Sequence, residues 1–78
     1  MTIHSMSNIT KPVINHVYLW GDGLVAVFDQ FGDQMQEYQG KYTDVHDKVL
    51  ADAPDIAVFY SYKWTVSGNR DIVNRSEW

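Results

Sequence analysis

The chain has 78 residues, of which 45% are hydrophobic and 14% aromatic, and its net charge at pH 7 is −4. This length supports one domain with one core, and the composition excludes an intrinsically disordered chain. The absence of cysteine excludes disulfides and thiolate metal sites, so a reducing cytoplasmic location is expected. No apolar run is long enough for a signal peptide or a membrane span, which predicts a soluble protein without a membrane partner.

The first part of the chain predicts a mobile leader followed by a β-hairpin. Residues 1–12 are polar and irregular and end at a proline, so the domain is expected to comprise residues 13–78. Residues 13–20 are rich in β-branched and aromatic side chains and predict a strand. The strand places Ile14, His16, Tyr18 and Trp20 on one face. The sequence Gly-Asp-Gly at positions 21–23 then predicts a three-residue hairpin loop.

The run Leu-Val-Ala-Val-Phe at residues 24–28 is apolar on both faces and predicts a central strand covered on both sides. Asp29 and Gly32 occupy the first and fourth positions of a predicted type I turn. The polar residues 33–39 follow and predict a third strand at the sheet edge, where polar side chains deter further pairing. In that segment the strong apolar residues, Met35 and Tyr38, lie three positions apart, which departs from strand alternation.

A helix is predicted next, because an apolar stripe recurs at helical spacing. Its members are Tyr42, Val45, His46, Val49, Leu50 and Ala53. Thr43 is the expected N-cap, and Pro54 is expected to end the helix. Residues 55–65 then alternate as a long strand, and Gly68-Asn69 marks a turn. The last nine residues fit either a short strand or a helical turn.

The order β-β-β-α-β predicts an α+β fold, a two-layer sandwich of one helix on an antiparallel sheet of about four strands. One short helix covers only part of one sheet face. Small residues are expected beneath it, and the large aromatic side chains are expected to gather on the other face. These side chains are Tyr18, Trp20, Tyr60, Tyr62 and Trp64.

Acidic side chains concentrate in the middle of the chain. Between positions 22 and 55, eight acids face two lysines, which gives this segment a charge of −6. Such a segment disfavours binding to nucleic-acid phosphates and favours solubility or a basic partner. Asp44, Asp47 and Asp52 lie on the polar side of the predicted helix and form a hypothetical acidic contact surface.

No catalytic, metal or cofactor pattern emerges from the sequence. The histidines, His4, His16 and His46, lack the spacing of metal ligands. Asp29, Asp33 and Glu37 recur every four residues, but Phe31 replaces a required oxygen ligand of a calcium loop. No glycine-flanked serine follows a strand, as a nucleophilic site would require. We therefore expect a protein that is not an enzyme and that needs no cofactor.

The leading hypothesis is an interaction or inhibitor-type module that self-associates or binds a partner protein through its aromatic sheet face. The same rings could instead complete the core beneath the C-terminal segment. The alternative function is single-stranded nucleic-acid binding by stacking on Tyr60, Tyr62 and Trp64. The sequence leaves open the partner, the oligomeric state and the biological process.

Overall fold

The computed structural model describes residues 11–62 and 71–78, which form one helix packed on a five-stranded sheet. The strands are β1 (Ile14–Leu19), β2 (Leu24–Asp29), β3 (Gly40–Lys41), β4 (Val58–Ser61) and β5 (Asp71–Val73). The helix is α1 (Tyr42–Asp52), and short 3₁₀ turns occupy Gln36–Tyr38 and Arg75–Glu77. The predicted α+β fold with one helix is confirmed, although the sheet has five strands instead of about four.

The strand order is β3-β2-β1-β4-β5, so β1 lies in the centre of the sheet. The prediction that residues 24–28 form the central strand is therefore wrong. The β1–β4 pair is parallel and the other pairs are antiparallel, which makes the sheet mixed. The reason is the single helix between β3 and β4, which returns the chain along the sheet before the next strand begins.

The predicted polar strand at residues 33–39 is wrong. A single bridge joins Gln34 to Phe28, and the chain then forms the 3₁₀ turn Gln36–Tyr38. Met35 and Tyr38, three residues apart, both pack against the core. Side chains at this spacing share one side of a 3₁₀ turn but point to opposite faces of a strand. The edge strand β3 begins only at Gly40, at the position where the predicted strand was expected to have ended.

The two predicted turns that lie within the described residues are confirmed, and glycine is required in each. Gly23 has a φ of 90° and Gly32 a φ of 87°, which residues with a side chain rarely adopt. In the second turn the Asp29 carboxylate accepts the backbone N–H groups of Phe31 at 2.8 Å and Asp33 at 3.0 Å. Asp29 is itself only 5% exposed, so these hydrogen bonds replace most of the contacts with water that its carboxyl group loses on folding.

Helix α1 ends before Pro54 as predicted, but the expected Thr43 N-cap is wrong. The N-cap position is Lys41, two residues earlier, so the helix begins at Tyr42, directly after β3, and no side chain caps it. The Tyr42 N–H instead donates to the Gly23 carbonyl at 2.9 Å. A tertiary hydrogen bond thus satisfies a helix N–H group that usually needs a capping side chain.

The core lies between α1 and one face of the sheet, and the C-terminal segment closes it. Its buried residues are Ile14, Val17, Leu19, Val25, Val27, Val45, Val49, Ala53, Phe59 and Trp78. The indole of Trp78, only 2% exposed, lies 5.1 Å from the Phe59 ring and 5.2 Å from the Tyr42 ring, measured between centroids. The Tyr42 hydroxyl donates to the Trp78 carbonyl. Both structures considered for the last nine residues occur, since β5 is followed by a 3₁₀ turn.

Arg75 attaches this segment to the end of the helix. Its guanidinium donates to the carbonyls of Ala53 at 2.6 Å and Pro54 at 3.1 Å. These carbonyls lie at the C-terminal end of the helix, where carbonyl groups have no N–H donor within the helix. The guanidinium also lies 5.4 Å from the centroid of the Phe59 ring.

Several predictions concern residues outside the described ranges. These are the leader up to residue 10, the strand continuation at residues 63–65, the turn at residues 68 and 69, and Trp64. At the start of the described chain, the Gln30 amide donates to the Lys11 carbonyl at 2.7 Å. Within residues 11–62 and 71–78, no helix has the length and apolar character needed to cross a membrane.

Candidate functional site

The sheet face opposite α1 carries a continuous group of aromatic side chains, which we call the aromatic face. Its members in the described chain are His16, Tyr18 and Trp20 from β1 and the loop that follows, Phe28 from β2, and Tyr60 and Tyr62 from β4 and the residue after it. Four of the five aromatic residues singled out from the sequence are therefore brought together here, and the fifth, Trp64, lies outside the described residues.

The parallel pairing of β1 with β4 creates the stacking. In this register Tyr18 lies directly beside Tyr60, and the Tyr62 N–H donates to the Leu19 carbonyl at 2.9 Å, extending the pairing. The Tyr18 and Tyr60 rings stack with centroids 4.7 Å apart and planes 9° apart. The Trp20 and Tyr62 rings stack at 4.7 Å and 27°. These separations match the spacing of about 4.8 Å between neighbouring strands.

Because the rings are stacked at the strand spacing, they stand upright on the sheet. The ring of His16 extends the stack, 5.9 Å from Tyr60 and 18° from parallel. Phe28 meets Tyr18 edge to face, with centroids 5.7 Å apart and planes at 84°. The flat ring surfaces therefore contact one another, and ring edges point away from the sheet. This arrangement gives a firm, corrugated surface, since each ring limits the rotation of its neighbours.

One predicted member of this face lies elsewhere. Ile14 is 2% exposed and belongs to the core on the helix side of the sheet. The pairing of β1 with β2 shifts register between Ile14 and His16, as in a β-bulge. A bulge reverses the alternation of side chains, so Ile14 and His16 point to opposite faces although two positions separate them.

The aromatic face is almost free of charge. On this side of the sheet, the described strand positions carry a single charged side chain, that of Lys41, which is paired with Leu24 at the β3 edge. Exposed aliphatic groups border the rings: Leu24 is 45% exposed and Ile72 is 71% exposed. Ile72 is paired with Tyr60 and so extends the apolar surface to the opposite edge. Depletion of charge around aromatic residues is typical of the centre of a protein interface.

Helix α1 and the indole of Trp78 both lie on the other side of the sheet. Trp78 contacts Tyr42 and His46 of α1, and Phe59, whose side chain faces the helix. The hypothesis that the C-terminal segment covers the aromatic rings therefore does not hold for residues 71–78.

The proposed acidic surface belongs to the helix layer. Asp44, Asp47 and Asp52 are all exposed on α1. Asp47 lies 3.0 Å from Nδ1 of His46, and Asp52 accepts a hydrogen bond of 2.7 Å from the Tyr38 hydroxyl. This hydrogen bond is the main reason that the pKa of Tyr38 rises to about 12. Two of the three carboxylates thus have local partners.

The described residues contain no cluster of three or more metal-ligating side chains. His16 lies on the aromatic face and His46 on α1, so the two histidines are separated by the sheet. A groove of about 370 Å³ lies beside β5 and contains Asp55 and Arg75, but no histidine lines it. Asp55 and Arg75 pair with each other at 3.7 Å. This groove therefore does not bring a histidine beside its acid, as an acid–base site in it would need.

No protein-family model, curated protein or solved structure matches this chain. The aromatic face is accordingly interpreted from its own geometry and chemistry.

The predicted interaction residues left out four contributors to this face, namely His16, Leu24, Phe28 and Ile72, although His16 had been placed on the same side of its strand as Tyr18 and Trp20. The first three carried a usable signal, since their positions alternate correctly with Tyr18 and Ala26 along β1 and β2. Ile72 carried none, because the pairing of β5 with β4 depends on residues far apart in the chain.

Proposed function

We propose that this protein is a non-enzymatic interaction module that binds protein, either a partner or another copy of itself, through the aromatic face. The observation that supports the proposal best is the uncharged group of upright, mutually stacked rings on the side of the sheet opposite α1. Trp20, Leu24 and Ile72 are exposed and the other rings of the face are half-buried, and contiguous apolar surface that reaches solvent marks interaction sites on small domains. Tyrosine and tryptophan suit the role, because each joins a large apolar ring to a polar atom.

The orientation of the rings favours a protein over a single-stranded nucleic acid. Bases bind to such sheets by stacking on a ring surface, and a basic groove holds the phosphates. Here the surfaces of Tyr18 and Tyr60 lie against each other, and Lys41 is the single charge at the described strand positions of that side. Stacking on a base would require the rings to separate first, with loss of about 0.5–1.5 kcal/mol for each ring pair.

Site-specific photo-crosslinking tests this proposal. A photoreactive phenylalanine analogue replaces Leu24, which is exposed on the aromatic face, in the full chain expressed in cells. The matched control carries the same analogue at Ala51, which is exposed on α1. We expect a discrete protein adduct from position 24 and none from position 51.

A second substitution on the face links the adduct to the surface itself. Ile72→Asp, introduced together with the analogue at position 24, should reduce the adduct because it places a charge at the border of the same face. Equal adducts from positions 24 and 51, or no adduct from position 24, would refute the proposal. Tight binding of a single-stranded oligonucleotide at low salt would favour the alternative function instead.

A further inference from the structure

The arrangement of charge and rings points to a specific occupant: we infer that the aromatic face pairs with the aromatic face of a second copy of this chain. The result is a dimer in which two sheets pack together and the helices lie outside. This inference rests on the proposed function and specifies the partner.

Charge distribution is the first argument. The chain carries a net charge of −4, so two copies repel each other unless their acidic surfaces stay apart. Asp44, Asp47 and Asp52 are exposed on α1, and α1 packs on the sheet face opposite the rings. Face-to-face packing of two sheets therefore places both acidic helices on the outside. Sheets packed in this way are about 10 Å apart, which adds to the separation of the helices.

Chemical self-complementarity is the second argument. A twofold interface brings each residue near its own copy or near a fixed partner, so every group on it must tolerate a group of the same kind. Aromatic rings and aliphatic side chains meet this condition. A tyrosine hydroxyl also meets it, because it both donates and accepts hydrogen bonds. A lysine or carboxylate does not, and the described strand positions place a single such residue, Lys41, on this side at an edge strand.

The size of the face predicts how strong the dimer is. The four strands of the face lie about 4.8 Å apart and are roughly 10–20 Å long, so they present roughly 300 Å² on each copy. The dimer then buries on the order of 600 Å² in total, less than the ~1,200–2,000 Å² of stable complexes. We therefore expect a reversible dimer with a dissociation constant of about micromolar or weaker.

Sedimentation of the purified full chain over a concentration series, from roughly 5 µM to 1 mM, tests this dimer. We expect the average mass to rise from one copy towards two. Leu24→Asp and Ile72→Asp place like charges across the twofold axis and should weaken dimerisation at least tenfold. Both positions are well exposed, at 45% and 71%, so neither change is expected to unfold the monomer. Phe31→Asp is the matched control, because Phe31 is 57% exposed but lies in the turn after β2.

A wild-type protein that stays monomeric throughout this range would refute self-pairing. So would a Phe31→Asp variant that dissociates as readily as the two variants on the face. The crosslinking adduct separates this failure from failure of the proposed function. An adduct with a different protein, obtained with a monomeric chain, overturns self-pairing and leaves the interaction role standing. A monomeric chain without any adduct overturns both.

Discussion

Replacement of Trp78 by alanine should cost this protein a large part of its stability. The indole is 2% exposed, contacts the rings of Phe59 and His46, and donates through Nε1 to the Tyr60 carbonyl at 3.3 Å. A tryptophan of this kind buries about 200 Å² or more, and at ~25 cal/mol per Å² this corresponds to about 5 kcal/mol. Measured losses for such truncations are about 3–5 kcal/mol.

That loss is large relative to the total free energy of unfolding of the domain. At about 0.05–0.15 kcal/mol per residue, a chain of this length has a total stability of roughly 4–12 kcal/mol. Trp78→Ala should therefore lower the free energy of unfolding by about a quarter or more and lower the melting temperature by more than ~10 °C. Urea unfolding followed by far-ultraviolet circular dichroism measures this change without relying on tryptophan fluorescence, which the substitution alters.

Trp20→Ala is the matched control, because the same substitution is made on the other side of the sheet. Trp20 is 37% exposed and stacks on Tyr62 and Tyr18. At low protein concentration, where a weak dimer is dissociated, its loss should cost about 1–2 kcal/mol. If Trp20→Ala destabilises the monomer as much as Trp78→Ala does, the assignment of one ring to the core and the other to an open face is wrong.

Three further changes test local features of the fold. Arg75→Met keeps much of the apolar stem but removes both hydrogen bonds to the carbonyls at the end of α1, and should cost about 1–3 kcal/mol in urea unfolding. Asp29→Ala leaves two N–H groups of the turn without an acceptor and should cost about 1–3 kcal/mol, whereas Asp29→Asn retains an oxygen and should cost less. Tyr38→Phe removes the hydrogen bond to Asp52 and should make stability less dependent on alkaline pH. The folded state raises the pKa of Tyr38 from 10.0 to about 12, so the stabilisation is complete below pH 10 and is lost as the pH approaches 12.

Each of these expectations has its own contrary result. For Arg75, the control is Asp55→Asn, which removes only an exposed ion pair of 3.7 Å and should be nearly neutral. If Asp55→Asn destabilised the protein as much as Arg75→Met, the contribution of Arg75 to stability would come from the ion pair and not from its hydrogen bonds to the carbonyls. For Asp29, equal losses in the alanine and asparagine variants would contradict the turn geometry. For Tyr38, the stability difference between wild type and Tyr38→Phe should be constant from pH 7 to 9 and smaller above pH 10; a constant difference throughout would refute the hydrogen bond.

The helix and the hairpins were predictable because their signals are local. The apolar stripe that includes Val45 and Val49 identifies α1 by its spacing alone, and both residues are buried as expected. Gly23 and Gly32 identify their turns because few other residues tolerate a positive φ. Alternation along a strand is also a local signal, and it was enough to group Tyr18 with Trp20 and Tyr60 with Tyr62. Where a bulge interrupts alternation, at Ile14, the local signal placed the side chain on the wrong face.

The sequence by itself determined β1, β2, β4 and the helix, the turns after β1 and β2, and, away from the bulge, which side chains within a strand share a face. These properties depend on the period of a strand or helix and on the conformations allowed at single residues. Only the tertiary structure decided that β1 is central, that β1 runs parallel to β4, and that Trp78 completes the core. Each of these depends on contacts between residues that are distant in the chain. The packing of the whole domain selects these contacts, and they produce no repeating pattern of residue types in the sequence. The stack of Tyr18 on Tyr60 arises from both, since alternation turns the two rings to one side and long-range pairing sets them a strand's width apart.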